Sequence, residues 1–143
     1  MDRTKQNRDE VAKSGDEKAI LDHMSTWFFA LNSGNADDLP VNKHTRFDVD
    51  GGLLETNDPE VGLPKLKEAF AAGLTIDVQP LHEKVDLYGD TAVYTCYERV
   101  KITPPEGDPI NDTRRATVVL AKQTGEWKDV HVHLSYLTPV NPK

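Results

Sequence analysis

His131 and His133 stand two residues apart in the stretch Trp127-Lys128-Asp129-Val130-His131-Val132-His133-Leu134-Ser135, which follows the turn signal Thr124-Gly125-Glu126. A strand with alternating side chains puts Trp127, Asp129, His131, His133 and Ser135 on one face and Lys128, Val130, Val132 and Leu134 on the other. Two imidazoles that titrate near neutral pH, beside a carboxylate and a hydroxyl, are the groups used in general acid–base chemistry. Hydrogen-bonded wall residues are the simpler reading of the same pair. A metal would need a third ligand, such as Glu98 or Asp129, to converge on them, and neither a metal nor a cofactor is expected.

Asp48 and Asp50 flank Val49 in a second strand-like run, Arg46-Phe47-Asp48-Val49-Asp50. Asp50 precedes Gly51-Gly52 and reads as turn chemistry. Asp48 is the better candidate for a base that removes a proton next to a carbonyl, since burial in an apolar cup raises a carboxyl pKa into the useful range. A donor is needed opposite it. Tyr94, which shares strand parity with Ala92, Cys96 and Glu98, would polarise the carbonyl oxygen, with plain core packing as the competing reading.

These residues must be positioned by a small set of elements. Residues 1–13 are charged and lack a period, so they read as a frayed arm. Ser14-Gly15-Asp16-Glu17 matches a capping box, and Ile20, Met24, Trp27, Phe28 and Leu31 form one apolar helical stripe that stops at Ser33-Gly34-Asn35. Trp27 and Phe70 are expected in a pocket wall, contributing shape. A short helix is expected over 36–42, with Pro40 in it. Asp50-Gly51-Gly52 closes a small hairpin, and a helix is expected from Pro64 to about Gly73. From Thr75 the period changes to two, through 76–78, 85–87, 92–102, 115–122 and the histidine strand, each bounded by turn residues. Helices first and hairpin-linked strands afterwards imply an α+β domain over 14–138, with about three helices on the concave face of a strongly curved antiparallel sheet and a tail at 139–143. Such a sheet, partly covered, leaves an apolar concavity.

The whole chain is 143 residues long, enough for one core, and carries 24 acidic and 17 basic residues for a formal net charge of -7. That balance disfavours nucleic acid and anionic membrane as partners. Cys96 is the single cysteine, which excludes an intrachain disulfide and reads as a small core residue compatible with a cytoplasmic location. No apolar run approaches the roughly 18 residues of a membrane span.

Several of these pieces together resemble the SnoaL-like branch of the nuclear transport factor 2-like superfamily, which includes the association domain of calcium/calmodulin-dependent kinase II. They are Ala19-Ile20 with Trp27 and Ala30-Leu31-Asn32-Ser33-Gly34-Asn35, then Leu87-Tyr88-Gly89-Asp90-Thr91-Ala92-Val93, then Arg115-Ala116-Thr117-Val118-Val119-Leu120, and finally Gly125-Glu126-Trp127 with Val130 to Ser135. The resemblance implies a cone-shaped α+β barrel, a homodimer or higher homo-oligomer through the outer sheet face, and a pocket between helices and sheet. The kinase association domain's acid-binding arginines are not reproduced in place, because Val118 follows Thr117 and Glu98 stands in the long strand. Arg99 and Arg115 lie nearby as alternative anion ligands, and strand register decides which of Glu98, Arg99 and Arg115 face the pocket. Two functions are therefore expected. One is a small-molecule pocket protein with cofactor-free isomerase, cyclase or lyase chemistry on an apolar carbonyl compound, through Asp48, His131 or His133 and Tyr94. The other is a non-catalytic ligand-binding and oligomerisation module.

Overall fold

A computed structural model describes residues 3–137, and side chains from residue 15 onward. The expected tail 139–143 lies outside the described residues. Helix α1 runs Arg3–Ser33 and therefore starts well before the Ser14 capping box. Lys, Gln, Arg, Glu and Ala dominate the earlier stretch and favour helix, so the cap pattern marks a possible start that the chain does not use. The end is as the sequence implies. Gly34 takes φ +68°, its N–H donates to the Leu31 carbonyl at 3.2 Å, and the Asn35 N–H donates to the Ala30 carbonyl at 2.9 Å. Those two bonds satisfy carbonyls that the helix end leaves free.

Ala36–Asp38 forms one 3-10 turn where a short helix over 36–42 is expected. Pro40 stands four residues after Ala36, and its ring would meet that residue's carbonyl in a continued helix. Strands β1 (His44–Phe47) and β2 (Glu55–Asn57) pair antiparallel across the loop 48–54. Helix α2 (Pro59–Ala71) begins five residues earlier than the Pro64 signal suggests. Asp58 caps it by accepting the Glu60 N–H at 3.0 Å, and Pro59 occupies the first position, where its missing N–H costs nothing. The described chain thus holds two α-helices and one 3-10 turn rather than three helices. No α2 residue is buried, so α1 alone packs closely on the sheet.

The remaining strands are β3 (Thr75–Tyr88), β4 (Thr91–Thr103), β5 (Ile110–Gln123) and β6 (Glu126–Tyr136). They form one six-stranded open sheet in the order β2-β1-β6-β5-β4-β3, antiparallel throughout except where β1 lies parallel to β6. The runs at 76–78 and 85–87 belong to a single strand, β3. Its pairing with β4 slips between Leu81 and Lys84, where His82 adopts φ +55°. Such bulges bend and twist a sheet, which gives this one its curvature.

The inner face carries Ala92, Tyr94, Cys96 and Val100 from β4, then Ala116, Val118 and Leu120 from β5, against Ile20, Met24 and Phe28 of α1. Asn32 fixes the helix end to β3 by donating to the Val78 carbonyl at 3.0 Å and accepting the Val78 N–H at 2.7 Å. Burial pushes the Cys96 thiol up to about 12, consistent with an inert core residue. Among the described residues no helix is long and apolar enough to cross a membrane.

Candidate functional site

The first half of β6 follows the expected alternation, with Trp127 and Asp129 buried on the inner face. The second half does not. Pairing with β5 runs Leu120 opposite Asp129 and then Val119 opposite His131, so Val130 is an extra residue on β6. One extra residue reverses the side-chain parity beyond it. Val132 and Leu134 consequently point into the core, and His131 and His133 onto the outer face. The expectation of one continuous face from Trp127 to Ser135 is corrected by this bulge. His131 Nδ1 lies 2.8 Å from Thr45 Oγ1, and the ring of Phe47 packs between the two imidazoles, 5.7 Å from His131 and 5.3 Å from His133.

Where the inner face is left uncovered, a cavity of about 140 Å³ opens between α1 and the sheet. Met24, Trp27, Phe28 and Leu31 form its helix side. Ile76, Val78, Val100, Val118, Val132 and Leu134 line its sheet side. Four polar side chains reach it: Arg46, Glu98, Arg114 and Asp129. The volume is close to that of an engineered apolar cavity of about 150 Å³ that binds benzene.

Glu98 is the chemically distinctive group. It has no hydrogen bond or ion pair among the described residues, and burial raises its pKa above the usual glutamate range, against a partial opposing pull from Arg114 and Arg46. Arg114, its direct cross-strand neighbour, is already committed: Nε lies 2.7 Å from Asp112 Oδ1 and Nη2 3.2 Å from Oδ2. Arg46 is less engaged: its Nε is buried without a hydrogen-bond partner, and Asp48 Oδ2 stands 3.5 Å away as an ion-pair partner. A donor with spare capacity and a carboxyl with a raised pKa thus border one apolar space.

Asp129 closes the cavity at its other side. It is 1% exposed; Oδ1 lies 2.8 Å from His23 Nε2, and Oδ2 accepts the Trp27 indole N–H at 3.0 Å. The carboxylate fixes the Trp27 ring and ties α1 to β6. His44 lies deeper on the inner side of β1, with Nδ1 2.7 Å from the Asn42 carbonyl and Nε2 buried without a partner. Burial lowers its pKa, although the Asn42 bond opposes this.

Of the residues singled out by sequence, Trp27 and Glu98 line the cavity together. Tyr94 is on the inner face as its parity requires, yet fully buried beside the cavity rather than lining it, and its hydroxyl donates to Glu83 Oε2 at 2.7 Å. Desolvation and that bond hold the phenol proton firmly. Asp48 sits just past the end of β1, about one-third exposed, where Oδ1 accepts the Val49 N–H at 2.7 Å. Phe70 packs against the Gly34 turn. Arg99 and Arg115 are on the outer face, one residue out of phase with Glu98 and Arg114, and Arg115 Nε donates to Ser135 Oγ at 2.9 Å. Among the described residues no group of three His, Cys, Asp or Glu side chains is placed to hold a metal ion.

Arg46, Arg114, His23 and His44 are the site residues that sequence reasoning missed. The signal for Arg114 was the same antiparallel register that pairs Glu98 with it, one residue from the arginine chosen. Arg46 shares its parity with Asp48, and the strand ends between them.

A family profile described as the SnoaL-like domain matches residues 56–139, more than half of the chain. A search of curated proteins finds no match. Solved structures agree on the fold. A nuclear transport factor 2 (NTF2-like) superfamily protein from Salmonella enterica superposes with a TM-score of 0.73 at 15% identity, over 90% of this chain and 96% of its own. An NTF2-like protein with a cystatin-like fold from Novosphingobium aromaticivorans gives 0.71 at 17% identity, over 96% and 92%. The calcium/calmodulin-dependent kinase II hub homology domain of Chlamydomonas reinhardtii gives 0.64 at 21% identity, over 86% and 99%. Its curved, unclosed six-stranded sheet and long first helix across the concave face are the fold of those NTF2-like structures, and with the profile match through the strands that build the cavity the chain belongs to the SnoaL-like family.

Proposed function

We propose that the chain binds a small apolar carbonyl compound in the inner cavity and moves a proton on it, with Glu98 as the acid–base group. The observation that carries this reading is the Glu98 carboxyl, which has no hydrogen bond or ion pair among the described residues and lines a mainly apolar cavity, with its pKa raised by burial. Its carboxylate form takes a proton from the carbon next to the carbonyl. The Arg46 N–H donates to the oxygen on which charge develops. The proton held on Glu98 then returns to another carbon of the delocalised anion, giving isomerisation, or to a departing group, giving elimination. Asp48, Tyr94, His131 and His133 are less suited to these roles, since each stands outside the cavity lining or has its polar atoms engaged elsewhere.

Proton exchange tests the reading directly. The α-protons of acetophenone, whose ring suits the cavity volume, are expected to exchange in deuterated water faster with the protein than without it. The rate should rise with pH as Glu98 ionises. Glu98→Gln should lower it by about 10²-fold or more while leaving binding intact. An exchange rate indifferent to that substitution would remove Glu98 from the chemistry, and the absence of any protein-dependent exchange would leave a binding module.

The assembly reading rests on a different observation. The outer sheet face exposes Leu81, Tyr97 and Phe47, three large side chains on one surface of a strand-rich domain. A homo-oligomer formed through that face is compatible with ligand binding on the opposite one, and the fold is shared with a hub homology domain.

A further inference from the structure

The cavity is not the only hollow that Arg46 borders. A second one, of about 210 Å³, lies beneath α2, and the two share Trp27, Leu31 and Arg46 as a common wall. Its far side is apolar, with Leu63 and Leu66 from α2 and Leu39 from the 3-10 turn. No α2 residue is buried, so this helix roofs a space instead of filling it. The one charged group among the lining residues of this second hollow is Arg46, whose buried Nε lacks a hydrogen-bond partner.

A donor at the junction of two apolar compartments selects a particular kind of molecule. Its hydrogen-bond acceptor must lie between two apolar segments rather than at one end. Charge decides between a neutral and an anionic acceptor. Asp48 already stands 3.5 Å from Arg46, Asp112 neutralises Arg114, and Glu98 adds a further acid, so the site offers no net positive charge for a carboxylate to satisfy. A carbonyl oxygen accepts from the Arg46 guanidinium, which borders both hollows, without adding charge.

We infer that the ligand is an uncharged aryl alkyl ketone, or a compound of that shape, with its ring in the inner cavity, its carbonyl oxygen at Arg46 and its alkyl chain under α2 against Leu63 and Leu66. This inference rests on the small-molecule reading above and adds the second compartment and the class of ligand to it. The molecule's two ends are recognised by different elements. α1 and the sheet select the ring, and α2 selects the chain.

A homologous series tests this, read by the fluorescence of Trp27 in a Trp127→Phe background, since the chain holds two tryptophans and Trp27 borders both hollows. Across acetophenone, butyrophenone and hexanophenone the affinity should rise about three- to fourfold per added methylene until the second hollow is filled. Leu66→Trp, read by calorimetry because it adds a tryptophan, should abolish that length dependence while acetophenone still binds. Arg46→Met should remove the preference for each ketone over the matching alkylbenzene. Calorimetry on the unsubstituted protein checks that the Trp127→Phe background has not altered the site. Ketones that bind with no dependence on chain length, or with a dependence that survives Leu66→Trp, overturn the two-compartment ligand and leave the inner cavity reading intact. Phenylalkanoates that bind more tightly than the ketones of equal length overturn the neutral acceptor. If no member of any series binds, both this inference and the small-molecule reading fail.

Discussion

Asp129→Ala is the perturbation with the largest consequence that the geometry defines. The carboxylate is 1% exposed and accepts from the Trp27 indole at 3.0 Å while pairing with His23 at 2.8 Å. Truncation removes the acceptor and leaves two donors in a space that water reaches poorly. Hydrogen bonds to a charged group contribute about 1.5–3 kcal/mol each. Two such bonds are lost, so a loss of about 3–5 kcal/mol is expected, a large share of the roughly 5–15 kcal/mol that stabilises a domain. For a chain of this size that lowers Tm by about 10–20 °C. Asp129→Asn should lose much less, about 1 kcal/mol, because its amide oxygen still accepts from Trp27 and its amide nitrogen can donate to the other tautomer of His23. Guanidinium unfolding followed by circular dichroism and tryptophan fluorescence measures both variants. Equal losses for the two variants, or a loss below about 1 kcal/mol for Asp129→Ala, would refute the idea that this carboxylate clamps α1 to β6.

Glu98→Gln should stabilise the protein in a pH-dependent way. The folded state raises the Glu98 pKa, so it holds this proton more tightly than the unfolded chain, and stability falls as pH rises from about 4 through the folded value. The variant should match wild type near pH 3 and exceed it at neutral pH in denaturant midpoints; an unchanged difference across that range would contradict the assigned burial. His44→Asn should flatten the opposite limb. The lowered pKa of His44 means that stability is lost as pH falls below about 6.5, where the unfolded chain takes up the proton first, and Asn keeps the donor to the Asn42 carbonyl. A melting curve against pH that keeps the same acid slope in this variant would assign the slope to other groups. Phe47→Asp and Tyr97→Asp should each lower the mass measured by sedimentation equilibrium if copies pair through the outer sheet face, and an unchanged mass would assign any assembly to a different surface. Deleting Val130 should remove the bulge and leave a regular β6 with Asp129, Val132 and Leu134 still inward and His131 and His133 outward, so the variant should fold cooperatively; a deletion variant that fails to fold would contradict the assignment of Val130 as the extra residue.

The sequence by itself was enough for whatever depends on neighbours along the chain. The stripe from Ile20 to Leu31, its end at Gly34, the hairpin turns and the burial of Cys96 follow from period, cap and turn chemistry, and the structure carries them as expected. The α+β class follows in the same way, because helical and strand periods are local properties of the chain. Trp27 is legible as a wall residue from its helical stripe, whereas the sequence leaves open which of Glu98, Arg99 and Arg115 faces the pocket, and the structure turns Glu98 inward. The direction of every side chain beyond a bulge was not. Val130 leaves no mark in the composition of β6, and whether it is an extra residue is decided by its pairing with Val119 and Leu120 of β5. That one residue moves both histidines to the outer face. Likewise Glu98, Arg46 and Arg114 come from three strands whose distances in sequence carry no geometry, and only the order β1-β6-β5-β4 brings them to one cavity. The uncommitted Nε of Arg46 and the unburied inner side of α2 appear last, since each is a property of what the folded chain leaves unpaired.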